Sequence, residues 1–122
     1  MANKCCAAKK DKLIFSCSGA ADVGELSDRV ARKMTSDGIG KMFCLAGIGG
    51  KVAPIMQTTV NAAAILAIDG CGLNCVKNSL KEAGIYDFQH LLVTDLGFVK
   101  GETDVCDANI EKLVTAGTAK LG

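Results

Sequence analysis

The chain has no tryptophan, one tyrosine, four phenylalanines and a single histidine among its 122 residues. So few flat rings argue against a base-stacking platform for single-stranded nucleic acid. One histidine, His90, at the amino end of a predicted strand, leaves no Ser-His-Asp or Cys-His arrangement to be built. Charge of one sign is equally scarce. Fourteen basic and 13 acidic residues give a net charge of +1 with both signs interspersed. That supplies no basic field for nucleic acid or for an anionic membrane. Long hydrophobic runs are missing too: the longest, residues 62–68, is far too short to span a bilayer. Residues 1–12 are broken by four lysines and an aspartate, where a secretory signal needs a continuous apolar stretch. The expectation is a cytoplasmic protein without nucleic-acid or membrane partners. The length suits one domain with a real core rather than two.

Cysteine, by contrast, is abundant. There are seven, an odd number that fits a disulfide framework poorly. In a reducing compartment so many thiols point to metal or redox chemistry. Residues 1–11 read as a mobile tail carrying the adjacent pair Cys5-Cys6. Its default reading is two exposed thiols, although a flexible pair can also pass on a soft ion. Residues 12–122 read as a single α/β domain.

Short apolar runs at 12–17, 41–45, 63–68 and 89–94 alternate with helical patterns. Val23, Leu26, Val30 and Met34 keep helical spacing, as do Val52, Ile55, Met56 and Val60. Pro54 is tolerated in a first helical turn. Residues 74–83 form a third predicted helix, and Thr103 or Asp104 would cap a fourth that runs through Val114 and frays after it. Continuous rather than alternating apolar strands suit a sheet covered on both faces. The pattern predicts a three-layer α/β fold with a mostly parallel four-stranded sheet, right-handed crossovers and the flavodoxin-like order 2-1-3-4.

In such a sheet ligands bind beyond the carboxyl ends of the strands, where the strand order reverses. Cys17, Cys44 and Cys71 each mark the end of one of the first three predicted strands. Adjacent strands lie about 4.8 Å apart, so three neighbouring ends span about 10 Å. Cys75 follows Cys71 by four residues, which on a helix puts both on one face. Four thiols would then face one point, near glycine-rich turns whose N–H groups can donate to sulfur. Tetrahedral Cys₄ is a standard zinc site, although C-x₃-C with two distant partners is not the spacing of a zinc ribbon. Small apolar cysteines packed at strand ends are the plain alternative.

The blocks Cys-Ser-Gly-Ala at 17–20, Lys-Met-Phe-Cys-Leu-Ala-Gly-Ile-Gly-Gly at 41–50 and Ile-Asp-Gly-Cys at 68–71, with Cys75 beyond, resemble the DGC-domain proteins over roughly residues 12–100. In that family zinc binding is inferred from four cysteines. The resemblance carries them onto Cys17, Cys44, Cys71 and Cys75, none of which is substituted here. It implies a metal site and supplies no reaction.

Neighbouring residues have plainer readings. Asp69 and Asp95 read as turn or cap residues, with a role beside the cysteines as the sharper reading of each. Gly47-Ile48-Gly49-Gly50-Lys51 fails the phosphate-loop pattern, because Leu45 and Val52 stand where glycine and a hydroxyl residue are required. His90 reads as a strand-edge residue remote from the cysteines. Cys106 reads as a small packed residue of the last helix, and Lys51 and Lys77 as solvated. Two functions follow. One is a protein that binds zinc or another soft ion through the four cysteines, as a structural closure or a carried ion. The other is a thiol, sulfur-transfer or redox enzyme using the same cluster. An iron–sulfur cluster on those thiolates is a third occupant to consider.

Overall fold

A computed structural model describes residues 10–122. Strand β1 (Lys12–Ser16) leads through a short loop into helix α1 (Asp22–Ser36). Strand β2 (Lys41–Met42) is followed by two short helices, α2 (Leu45–Gly49) and α3 (Ala53–Val60). Strand β3 (Ala64–Asp69) precedes helix α4 (Cys75–Glu82). Strand β4 (Gln89–Leu92) runs into a 3₁₀ turn (Val93–Leu96), and helix α5 (Asp107–Leu121) closes the fold.

All four strands are parallel, in the order β2-β1-β3-β4. This is the expected 2-1-3-4 sheet. The apolar runs are continuous because both faces are covered. Ile14, Leu66, Ile68 and Leu91 pack against Val23, Leu26, Val30 and Met34 of α1 and Leu113 of α5. Leu13, Phe15, Ile65 and Ala67 point to the other face, against Ile48 of α2 and Val76 and Leu80 of α4. Phe15 meets Phe43 edge to face, with ring centroids 6.0 Å apart.

Three boundaries differ from the sequence reading. Strand β2 is short: the Phe43 N–H still donates to Ile14 O, but Cys44 is already the N-cap of α2. The glycine-rich stretch read as a loop is therefore helical. Gly47 permits it, because a Cβ there would lie 2.2 Å from Ile55 Cδ1. Lys51, at φ +54°, breaks the chain between α2 and α3. Finally, α5 does not fray after Val114. It continues to Leu121, which buries its side chain in the first core and anchors the last turn. Its N-cap is Cys106, which is exposed rather than packed.

Candidate functional site

The carboxyl edge of the sheet carries the expected cysteines, on different sides of it. Cys17 packs with the α2–α4 face of the core. It lines an open crevice of about 790 Å³ that also reaches Cys44, Ser16, Ser18, Asp28 and Arg32. Cys71 packs instead with the α1–α5 face. Cys75 is exposed as the first residue of α4. Between these two, Asn74 adopts a left-handed conformation at φ 54°. Cys71 thus lies in the turn before the helix, and the helical one-face pairing with Cys75 predicted from their spacing does not hold. Asn74 Oδ1 is buried in that turn without a hydrogen-bond partner.

Donors face two of the sulfurs. The Gly70 N–H donates to Cys17 Sγ at 3.4 Å. Ser27 Oγ stands 3.2 Å from the same sulfur. The Ser27 hydroxyl proton is committed to Gly24 O at 2.7 Å, so the Cys17 thiol is the donor to Ser27. On the other face the Lys100 ammonium reaches Cys71 Sγ at 3.5 Å.

The turn that holds Cys71 is fixed by backbone contact. Gly70 lies against Val23 and Gly24 of α1, and a Cβ at Gly70 would approach Val23 O to 2.7 Å. Gly24 in turn lies against Gly19, at 2.6 Å from a notional Cβ to Gly19 O. Glycine at 24 and at 70 is what lets these three backbones stack so closely.

Asp69 is more than a turn residue. Its side chain is only 1% exposed. Oδ1 accepts the Val76 N–H at 2.8 Å and Oδ2 the Lys77 N–H at 3.1 Å, both from the first turn of α4. Asp69 therefore caps that helix from six residues before its first turn, where a carboxylate also suits the helix dipole. His90 corrects the sequence reading. Register places it level with Ala67, on the same face as Asp69, rather than at a remote end of the sheet. Its Nε2 lies 2.9 Å from Asp69 Oδ2. A carboxylate only accepts, so this nitrogen donates.

Two further carboxylates organise the loops. Asp22 accepts the Gly101 N–H and the Thr103 N–H, each at 2.9 Å, holding the segment that carries Lys100. The Gly101 amide first, then that of Thr103, holds the Asp22 carboxyl below its usual range. Burial pushes the Asp28 carboxyl up, but the Arg32 guanidinium and Ser18 hydroxyl outweigh it and hold the group low. Ser18, at φ 50°, donates to Asp28 at 2.7 Å and lies 2.6 Å from Ser16 Oγ. With the Ser18 proton committed to Asp28, Ser16 is the donor in the second contact. Asp95 is exposed in the 3₁₀ turn.

The donor set has the chemistry of a soft-ion site: four sulfurs at one sheet edge, with N–H and ammonium groups turned toward two of them. Among the described residues, no three histidine, cysteine, aspartate or glutamate side chains are gathered as a metal-holding group. Cys17 and Cys44 share the crevice, and residues 70–75 hold the other two sulfurs apart from it. Cys5 and Cys6 lie outside the described residues. Sequence alone does not single out Ser27 or Lys100. Ser27 occupies the buried stripe of α1, one turn from Val23 and Val30, and a hydroxyl on that stripe was the available signal. Lys100 is 29 residues from Cys71 and gives none.

No helix among the described residues is long and apolar enough to cross a membrane. No solved structure matches the chain. The anaerobic and virulence modulator AnvM of Pseudomonas aeruginosa is 31% identical over 113 residues, covering 86% of each chain. The profile of the DGC domain matches residues 13–116, from the first strand into the last helix. This chain belongs to the DGC domain family.

Proposed function

We propose that the protein binds a soft metal ion, zinc foremost, through Cys17, Cys44, Cys71 and Cys75. The observation that carries this reading is the placing of all four sulfurs at the carboxyl edge of three adjacent parallel strands, where this architecture binds ligands. Bound Zn²⁺ would supply a tetrahedral cross-link among the strand ends. The chain's own part is to present sulfur and to offset its negative charge. Gly70 N–H serves Cys17, and the Lys100 ammonium serves Cys71. Capture requires residues 70–75 to carry Cys71 and Cys75 toward the crevice. The five cysteines among the described residues are all free thiols, which suits a reducing cytoplasmic setting. The name of the Pseudomonas aeruginosa relative, an anaerobic and virulence modulator, supports a regulatory role.

Elemental analysis of the untagged protein tests this directly. We expect about one zinc per chain, lost in each single Cys→Ser variant of the four and retained in Cys106→Ser. Seven free, reactive thiols and no metal would refute it. The second reading is a thiol, sulfur-transfer or redox enzyme, favoured by the positive charge that Lys100 brings to Cys71. One fast-alkylating cysteine that persists with metal bound would select it, and a brown, oxygen-sensitive preparation would select an iron–sulfur cluster on the same ligands.

A further inference from the structure

The residues from Gly70 to Cys75 carry two of the four sulfurs, and one carboxylate closes both ends of that segment. Asp69 immediately precedes it. Val76 and Lys77, whose amides Asp69 accepts, immediately follow it. The segment's span is therefore set by where the Asp69 carboxylate points. Left to itself, an aspartate side chain at the end of a strand has several rotamers. Here Oδ2 takes a second bond, from His90 Nε2 on the neighbouring strand. His90 is itself held by sheet pairing opposite Ala67, and its side chain is 22% exposed. A rigid strand thus aims the carboxylate, and the carboxylate holds the helix start against the strand end.

We propose that His90 is a positioning residue for the cysteine segment 70–75. Acting through Asp69, it sets the separation of Cys71 and Cys75 from each other and from Cys17. In the proposed function, on which this part rests, His90 thereby tunes metal affinity without ligating the ion. It lies outside the ligand set and acts on the sulfurs only through Asp69 and the helix start that Asp69 caps.

The test uses the full chain, Co²⁺ as the probe and two substitutions. His90→Gln keeps an N–H donor for Asp69, whereas His90→Leu fills similar space without one. The readouts are Co²⁺ affinity, the sulfur-to-cobalt absorption band, and hydrogen exchange at the Val76 and Lys77 amides in the metal-free protein. We expect His90→Leu to change Co²⁺ affinity by about 10-fold or more, to alter the band and to speed exchange at both amides. His90→Gln should restore affinity and band to within about 3-fold of the original, which a loss of packing alone would not allow. Unchanged affinity, band and amide exchange in His90→Leu would overturn the inference. If the unaltered protein takes up no Co²⁺, the metal reading fails by itself. The exchange data still decide the positioning role: faster exchange at Val76 and Lys77 upholds it, and unchanged exchange overturns it.

Discussion

Asp22 shows how much one side chain can fix at a distance. It accepts amides from Gly101 and Thr103, 79 and 81 residues along the chain, and so determines where Lys100 stands. Its carboxyl titrates below the usual range in the folded protein. A depressed folded value means the stabilisation is fully present above the unfolded value, near pH 4, and is lost as pH falls through the folded value. Asp22→Asn should therefore flatten the acid-side decline of stability below about pH 4 while lowering stability at neutral pH. Urea unfolding at pH 7 and pH 3 reads both. Equal pH dependence in the two proteins would contradict the clamp. Residues of this kind were the least legible. Nothing near Asp22 in sequence indicates Gly101, and nothing near His90 indicates Asp69, because both contacts are made by tertiary register. Cys17, Cys44 and Cys71 were legible because each lies just beyond a strand, and strand ends can be read from apolar runs; Cys75 was legible from its spacing to Cys71. The place of Cys75 relative to Cys71 was not, since it depends on the left-handed turn at Asn74.

Among elements, the strands and α1 follow their apolar periodicity closely, and the errors sit where two signals compete. Glycine-rich sequence after β2 reads as loop, yet Ile48 is worth burying, and the segment coils into α2 to bury it. Hydrophobic anchoring by Leu121 likewise extends α5 past the point where composition thins. The contact of α1 with the turn before α4 supplies a prediction at this scale. Gly70→Ala places a methyl against Val23 and Gly24 backbone, which has no flexible end to yield. It should destabilise by about 1–3 kcal/mol. Gly72→Ala, two residues on in open space, should stay within about 0.5 kcal/mol. Chemical denaturation of the pair separates close packing from general intolerance of the turn. Similar values for both would remove the case for the glycine stack.

For the whole molecule, the parallel sheet gathers Cys17, Cys44, Cys71 and Cys75 at one end. The crevice with Cys17 and Cys44, the helix starts of α2 and α4, and the Lys100 loop all meet the carboxyl edge. Metal that bridges this edge would tie β1, β2 and β3 together, and a ligand bound only by the folded state raises its stability by mass action. Chelation should therefore lower the melting temperature of the unaltered protein by several degrees and leave that of Cys71→Ser unchanged. Calorimetry with and without chelator provides the check. An equal response in both proteins would place the ion elsewhere, and no response in the unaltered protein would deny it a structural role.

The stacked backbones of Gly19, Gly24 and Gly70 have a mechanical consequence. Side chains in a contact act as compliant spacers, because rotamers can shift and absorb a displacement. This contact has none, so the turn and the start of α1 bear directly on each other. A movement of Gly70 large enough to carry Cys71 inward must push the first residues of α1. Asp22 is among them, and it grips the loop that holds Lys100. A filled cysteine site would thus be linked through hard contact at the start of α1 to the Lys100 loop on the same carboxyl edge, so that Cys71 and the ammonium beside it move together.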